Sequence, residues 1–174
     1  MESKYRADYE DDFLKDFQEY EYKEMFEKAN NIVLGFVAST AATGAVPIPF
    51  ADAPLLISQQ VAMMLAINRV FGFDVKNDTL QSLAIAALGV GGATVIGKTL
   101  ASNLMKLVPG VGTVAGGAVS AGTAGVITLA LGKAYIEVCK AMKMGKLNQD
   151  ALAQEEGREM LKKAFKDQMK KTKS

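Results

Sequence analysis

The sequence predicts an all-α protein. Two Gly/Ala-rich helical hairpins with Pro turns are expected, flanked by amphipathic N- and C-terminal helices. Three observations carry this. Charges crowd both ends of the 174-residue chain and nearly vanish from its middle. Apolar positions at the ends recur every three or four residues, the helical period. The middle is rich in Ala, Gly, Ser and Thr, and no segment alternates as a half-buried strand would.

Charge patterning divides the chain at residues 1–28, 29–139 and 140–174. The elements are read as an acidic helix at 1–28, an apolar hairpin domain at 29–145 and a basic helix and tail at 146–174. Residues 1–28 hold ten acids and five bases, and Tyr5, Tyr9, Phe13, Phe17 and Tyr20 form an aromatic stripe at helical spacing. This is an acidic amphipathic helix. Residues 140–174 reverse the balance, with ten bases and five acids. There Leu161, Phe165, Gln168 and Met169 share one face, Asn148 or Asp150 is placed to cap the start, and Gly157 weakens the first half. The opposite charges of the ends allow them to pair, although solvated faces with weak ion pairs explain them equally. The basic stretch "LKKAFKDQMKKTKS" also suits an anionic membrane surface.

Neutral runs at 29–51, 79–97 and 107–132 are each long enough to cross a bilayer, which takes about 20 residues. They are rich in small residues, and Pro47 and Pro49 break the first, so their hydropathy is marginal for a span. The turn "TGAVPIPFADAP" leads into a helix starting near Pro54, a residue suited to a first turn. The turn "KLVPGVGT", with Pro109 and Gly110, leads into another near Gly112 or Thr113. Beyond it Gly112, Gly116 and Ser120 recur every fourth residue, as do Gly117, Ala121 and Gly125. Each helical Gly costs about 1 kcal/mol relative to Ala, and close helix–helix packing is the compensating gain.

Composition narrows the chemistry. Histidine is absent and Cys139 is the single cysteine, which removes His-dependent triads, Cys/His zinc patterns and any internal disulfide. Cys139 lies in an apolar helical setting and is expected in the core. No metal or cofactor is expected, and a net charge of +1 argues against nucleic acid as a partner. The opening residues carry no apolar run, so no cleavable secretion signal is expected there.

The stretch "GGATVIGKT" matches the phosphate-loop pattern through Gly92, Gly97, Lys98 and Thr99. A working loop follows a buried strand and opens a helix at its Lys. Here Asp78 and Gln81 read as a capping box, and "SLAIAAL" is helix-forming, so a helix leads into the motif. We read the match as a coincidence.

Two stretches, "GAVPIPFADAPLLISQQVAMMLAINRVFGFD" and "LMKLVPGVGTVAGGAVSAGTAGVITLALGKAYIEVCK", resemble the signatures of a bacterial GTPase-associated helical domain of unknown function. That domain is often joined to, or encoded near, small Ras-like GTPase domains, and YcjF-like inner-membrane proteins are similar to it. The resemblance covers roughly residues 32–140. It implies a non-catalytic helical domain at the cytoplasmic side of a bacterial membrane, with a GTPase as partner in trans because this chain carries none. It supplies no catalytic residues.

Isolated charges remain in the apolar zone. Asp52 precedes Pro54 and is placed to cap that helix, with cation or Arg binding as the alternative. Lys133 and Glu137 stand four apart and can neutralise each other, and Arg69 is unassigned. Three functions stay open. The first is a membrane-associated anchor, scaffold or accessory partner of a small GTPase. The second is a cytoplasmic helical bundle for protein interaction or self-assembly as a homo-oligomer, including a pore-former-like variant that inserts on triggering. The third, least supported, is a small NTPase using Lys98 and Thr99.

Overall fold

A computed structural model describes the backbone of residues 2–43, 53–88 and 121–171, and the side chains of residues 18–40, 56–88 and 124–171. The described residues form α1 (Glu2–Thr43), α2 (Ala53–Phe71), α3 (Asn77–Leu88), α4 (Ala121–Lys143), a 3-10 turn η1 (Gln149–Ala153) and α5 (Glu155–Lys171), with no strand among them. The all-α expectation holds.

The change of composition at Lys28 is a change of charge inside one helix. No Gly or Pro interrupts the chain there, and α1 continues to Thr43. Its buried positions Ala29, Val33 and Thr40, with half-buried Phe36 and Val37, follow the helical period. Tyr20, the one member of the aromatic stripe whose side chain is described, is 66% exposed and covers nothing.

Helix α4 is the centre of the molecule. Its surroundings are α1, α2 and α5, and its buried residues run almost all the way round it. Lys133, Glu137, Lys140 and Lys143 are exposed at intervals of four, three and three, a narrow solvent strip along an otherwise enclosed helix. This arrangement explains why isolated charges interrupt so apolar a sequence. The expected Lys133–Glu137 pair does not form. Glu137 instead accepts a hydrogen bond from Gln168 Nε2 of α5.

Two left-handed glycines end the helices at one end of the bundle. Gly72 has φ +73° and Gly145 φ +66°. After α2, Phe73 N–H donates to Asn68 O at 2.9 Å and Gly72 N–H to Arg69 O at 3.4 Å. After α4, Lys146 N–H donates to Ala141 O at 2.8 Å and Gly145 N–H to Met142 O at 3.0 Å. Both are Schellman stops, which satisfy terminal carbonyls that would otherwise be unpaired. Arg69, exposed in the last turn of α2, and Lys140 and Lys143 of α4 sit where the helix dipole favours cations. Lys140 also lies over the Phe26 ring at 5.5 Å, and Lys143 over Phe73 at 5.8 Å.

Helix starts differ from the sequence reading in detail. Helix α3 begins at Asn77, with Leu80 N–H donating to Lys76 O at 3.1 Å. Asp78 therefore lies inside the first turn, where its charge meets the helix dipole, instead of serving as the cap. Asn148 caps η1 and not α5, its Oδ1 accepting Asp150 N–H at 3.3 Å. Helix α5 buries Leu161, Phe165, Gln168 and Met169 as the spacing predicts. It packs on α3, α4 and η1. Gly157 is there for space, since a Cβ on it would stand 2.5 Å from Leu152 Cα and 2.7 Å from Ala151 O.

Candidate functional site: an uncharged bundle end and the polar row beneath it

Side-chain contacts fix the helix directions. Phe26 of α1 meets Phe71 of α2 edge-on at 5.6 Å, and Thr40 of α1 reaches Thr128 of α4 at 3.5 Å. Gln60 of α2 donates to Thr128 at 2.9 Å, and Tyr135 of α4 donates to Asn68 of α2 at 2.7 Å. Helices α2 and α4 are therefore parallel, and α1 runs against both. The C-terminus of α1 and the N-termini of α2 and α4 meet at one end of the bundle. Among the described residues that end carries no charge: residues 29–43, 53–68 and 121–132 contain no Asp, Glu, Lys or Arg. Its exposed positions include Leu34, Gly35, Ala38 and Ser39 on α1, and Ser58 and Ala62 on α2.

A polar row is buried between these helices. Gln60 and Asn68, two turns apart on α2, are fully buried. They face Thr128 and Tyr135, two turns apart on α4. Thr40 Oγ1 closes the upper set by donating to Phe36 O at 2.7 Å. Below, the Cys139 thiol lies 3.8 Å from Asn68 Oδ1. Gln60 Oε1 and Asn68 Nδ2 have no hydrogen-bond partner among the described residues. An unmatched polar atom in such a core is costly, so the row fixes which turn of α2 faces which turn of α4. Burial pushes both the Cys139 thiol and the Tyr135 phenol well above their ordinary values, so neither ionises near neutrality. Cys139 is a core residue, as its setting implies.

At Gly132, α4 packs closely against α1 and α2 together. A Cβ there would stand 2.6 and 2.7 Å from the two Val33 methyls and 3.1 Å from Met63 Sδ. Gly125, seven residues earlier on the same face, is looser, with Val37 Cγ1 at 3.7 Å. Of the small-residue rows, Ala121 is the first residue of α4 and Gly125 lies within it, while Gly112, Gly116, Gly117 and Ser120 fall outside the described residues. Pro54 is the second residue of α2, in its first turn as expected; Pro47, Pro49, Asp52, Pro109 and Gly110 fall outside. Reading the sequence missed Gly132 and the polar row. Both were signalled by spacing: Gly132 stands seven residues after Gly125, and Thr128 and Tyr135 are also seven apart.

Helix α3 runs to Leu88, so a helix does lead toward the phosphate-loop match; Gly92, Gly97, Lys98 and Thr99 themselves lie outside the described residues. Among the described residues no three His, Cys, Asp or Glu side chains gather to hold a metal. Nor, among them, is any helix long and apolar enough to cross a membrane.

Comparison with known proteins places the chain in context. A family model described as "Domain of unknown function (DUF697)" matches residues 9–174. A curated relative, Magnetosome membrane protein 22 of Magnetospirillum gryphiswaldense, is 26% identical over 113 residues, 63% of this chain and 56% of that protein. The chain thus spans little more than half the length of the curated relative it matches. No solved structure matches it.

Proposed function

This chain belongs to the DUF697 family, and on that premise we propose that it is a non-enzymatic, membrane-associated helical module that anchors, scaffolds or assists a small GTPase supplied in trans. The observation that carries the membrane part is the uncharged bundle end. Three helices, α1, α2 and α4, bring their neutral segments together there, and the charges of α1, α4 and α5 among the described residues are left at the other end or along the flank. A soluble domain gains solubility from charges spread over its surface, and a large neutral end is what an apolar medium tolerates. The relative's name, a magnetosome membrane protein, supports the same reading, and the cytoplasmic side of a bacterial membrane is the proposed location. The GTPase part rests on the resemblance of the two Pro turns, and the non-enzymatic part on the absence of His from the sequence and the inertness of Cys139.

Fractionation of cells expressing the chain at native level, followed by an alkaline wash of the membranes, tests the proposal. Retention in the washed pellet indicates insertion, and release by the wash indicates peripheral attachment. Recovery in the soluble fraction before any wash would refute membrane association. For the GTPase, co-purification of a GTPase that changes between GDP and a non-hydrolysable GTP analogue is expected. Calorimetry with nucleotide should give no heat that Lys98→Ala abolishes.

A second reading, a soluble bundle for protein interaction or self-assembly, is favoured by the seam at Gly132. There a small residue packs against α1 and α2 of its own chain and needs no lipid or second copy. A monodisperse oligomer in detergent-free buffer, with no vesicle binding, would support it.

A further inference from the structure

The uncharged end has a boundary, and the boundary is cationic. Gln168 of α5 meets Glu137 of α4, while Gln149 Nε2 of η1 donates to Asp74 O at 2.6 Å, beside the Schellman stop of α2. Helix α5 therefore starts at the charged end and climbs antiparallel to α4 toward the uncharged one. Counting from the Gln168–Glu137 contact, Lys171 reaches the level of Ala134, beside the exposed Lys133. Beyond Lys133, α4 continues for the twelve residues of 121–132 without a charge, about 18 Å at a helical rise of 1.5 Å per residue. Sign is sorted along α5 as well. Three of its four acids, Glu155, Glu156 and Glu159, lie with Arg158 in the half nearer the charged end. Lys163, Lys166, Lys170 and Lys171 are exposed in the half nearer the boundary, where Asp167 is the one acid. Lys162 is left out, being held by Glu159 at 2.8 Å, and Lys170 meets Asp167 at a longer 3.4 Å.

We infer that Lys133, Lys163, Lys166, Lys170 and Lys171 form a collar that binds the anionic headgroups of a phospholipid bilayer, with the uncharged end of the bundle directed into the lipid. The inference rests on the membrane reading above and adds to it an orientation and a lipid class. Four considerations favour it. Cations at a bilayer interface keep their charged heads among headgroups while their stems lie on apolar surface. Lys170 and Lys171 lie near the level of Lys133, and Lys163 and Lys166 follow within about 12 Å along α5, so the lysines do not converge and suit an array of headgroups better than a single small anion. The neutral depth beyond the collar, about 18 Å, is more than half of a hydrocarbon core of about 30 Å. Finally, α1 ends and α2 begins at this end, and residues 44–52 between them hold only Asp52 as a charge.

The test uses the full chain and flotation with vesicles of phosphatidylcholine alone or with phosphatidylglycerol added. Wild type should bind the anionic vesicles, more weakly as salt rises. A variant carrying K163E, K166E, K170E and K171E, all at exposed positions, should keep its helical circular dichroism and bind on the order of 50-fold more weakly or worse. Orientation is read from an environment-sensitive fluorophore on Ala62→Cys, at the uncharged end, or on Met144→Cys, at the opposite end; buried Cys139 stays unlabelled in the folded protein. A blue shift at position 62 and none at 144 is expected. Equal binding to both vesicle types, an unaffected lysine variant, or a shift at 144 instead of 62 would overturn the collar while leaving membrane association intact. No binding to any vesicle would overturn both.

Discussion

Gly125→Ala and Gly132→Ala are the same substitution on the same face of α4, and they should act in opposite directions. In a helix Ala is favoured over Gly by about 0.5–1 kcal/mol. At position 125 the new methyl would meet Val37 Cγ1 at 3.7 Å, an ordinary contact. The propensity gain should therefore survive, and Gly125→Ala should stabilise the protein by about 0.5–1 kcal/mol. At position 132 the methyl would lie 2.6 and 2.7 Å from the two methyls of Val33, about an ångström inside optimal carbon contact. Rotating Val33 does not help, because both of its branches are close and the residue is buried. Helices α1 and α4 must separate, at an overpacking cost of about 1–3 kcal/mol that exceeds the propensity gain. The net loss should be about 0.5–2 kcal/mol. Urea or thermal unfolding followed by circular dichroism, both variants in the same buffer or detergent, measures the difference. Val33→Ala supplies a further check: it should cost less in the Gly132→Ala background than in wild type, because it removes the clash. A Gly132→Ala protein as stable as Gly125→Ala, or no coupling to Val33, would refute the account of the seam.

Further expectations can be checked on the same material. Gly157→Ala should destabilise more than Gly132→Ala, because its methyl would meet backbone atoms of Leu152 and Ala151, which cannot turn aside; equal stability would contradict the packing of α5 on η1. Tyr135→Phe removes the donor to Asn68 Oδ1 and should cost about 1–3 kcal/mol, whereas pairing it with Asn68→Leu should recover most of that stability, since only the weakly polar Cys139 thiol then loses its partner. Stability should also fall at high pH. The folded state holds the proton on Cys139 and the unfolded state releases it above about pH 8.5, so the contribution is complete below that value and declines above it by up to about 1.4 kcal/mol per pH unit. Cys139→Ala should flatten this decline between about pH 8.5 and 10, before the Tyr135 phenol adds its own. An unchanged slope would show that the thiol is not held protonated.

Much of this protein was legible in its residues alone. Helical spacing identified the buried face of α5 through Leu161, Phe165 and Met169, and the turn prolines anticipated the start of α2. The setting of Cys139 foretold its burial, and the Ala- and Leu-rich lead into Gly92 foretold helix instead of strand. These are local properties: period, propensity and turn chemistry act between neighbours in the chain. Tertiary structure decided the rest. The exposure of Tyr20 in an aromatic stripe, the turn of Glu137 toward Gln168 and away from Lys133, the tighter contact at Gly132 than at Gly125, and the gathering of the neutral segments of α1, α2 and α4 at one end all depend on which helix lies beside which. A helical face announces that it will be covered; the distance to its cover is set by residues 30 to 100 positions away, such as Val33 and Met63 against Gly132. Spacing such as the seven residues from Gly125 to Gly132 marks a shared face, but it does not say which distant residue meets it or how closely, because that energy belongs to the pair and not to either segment.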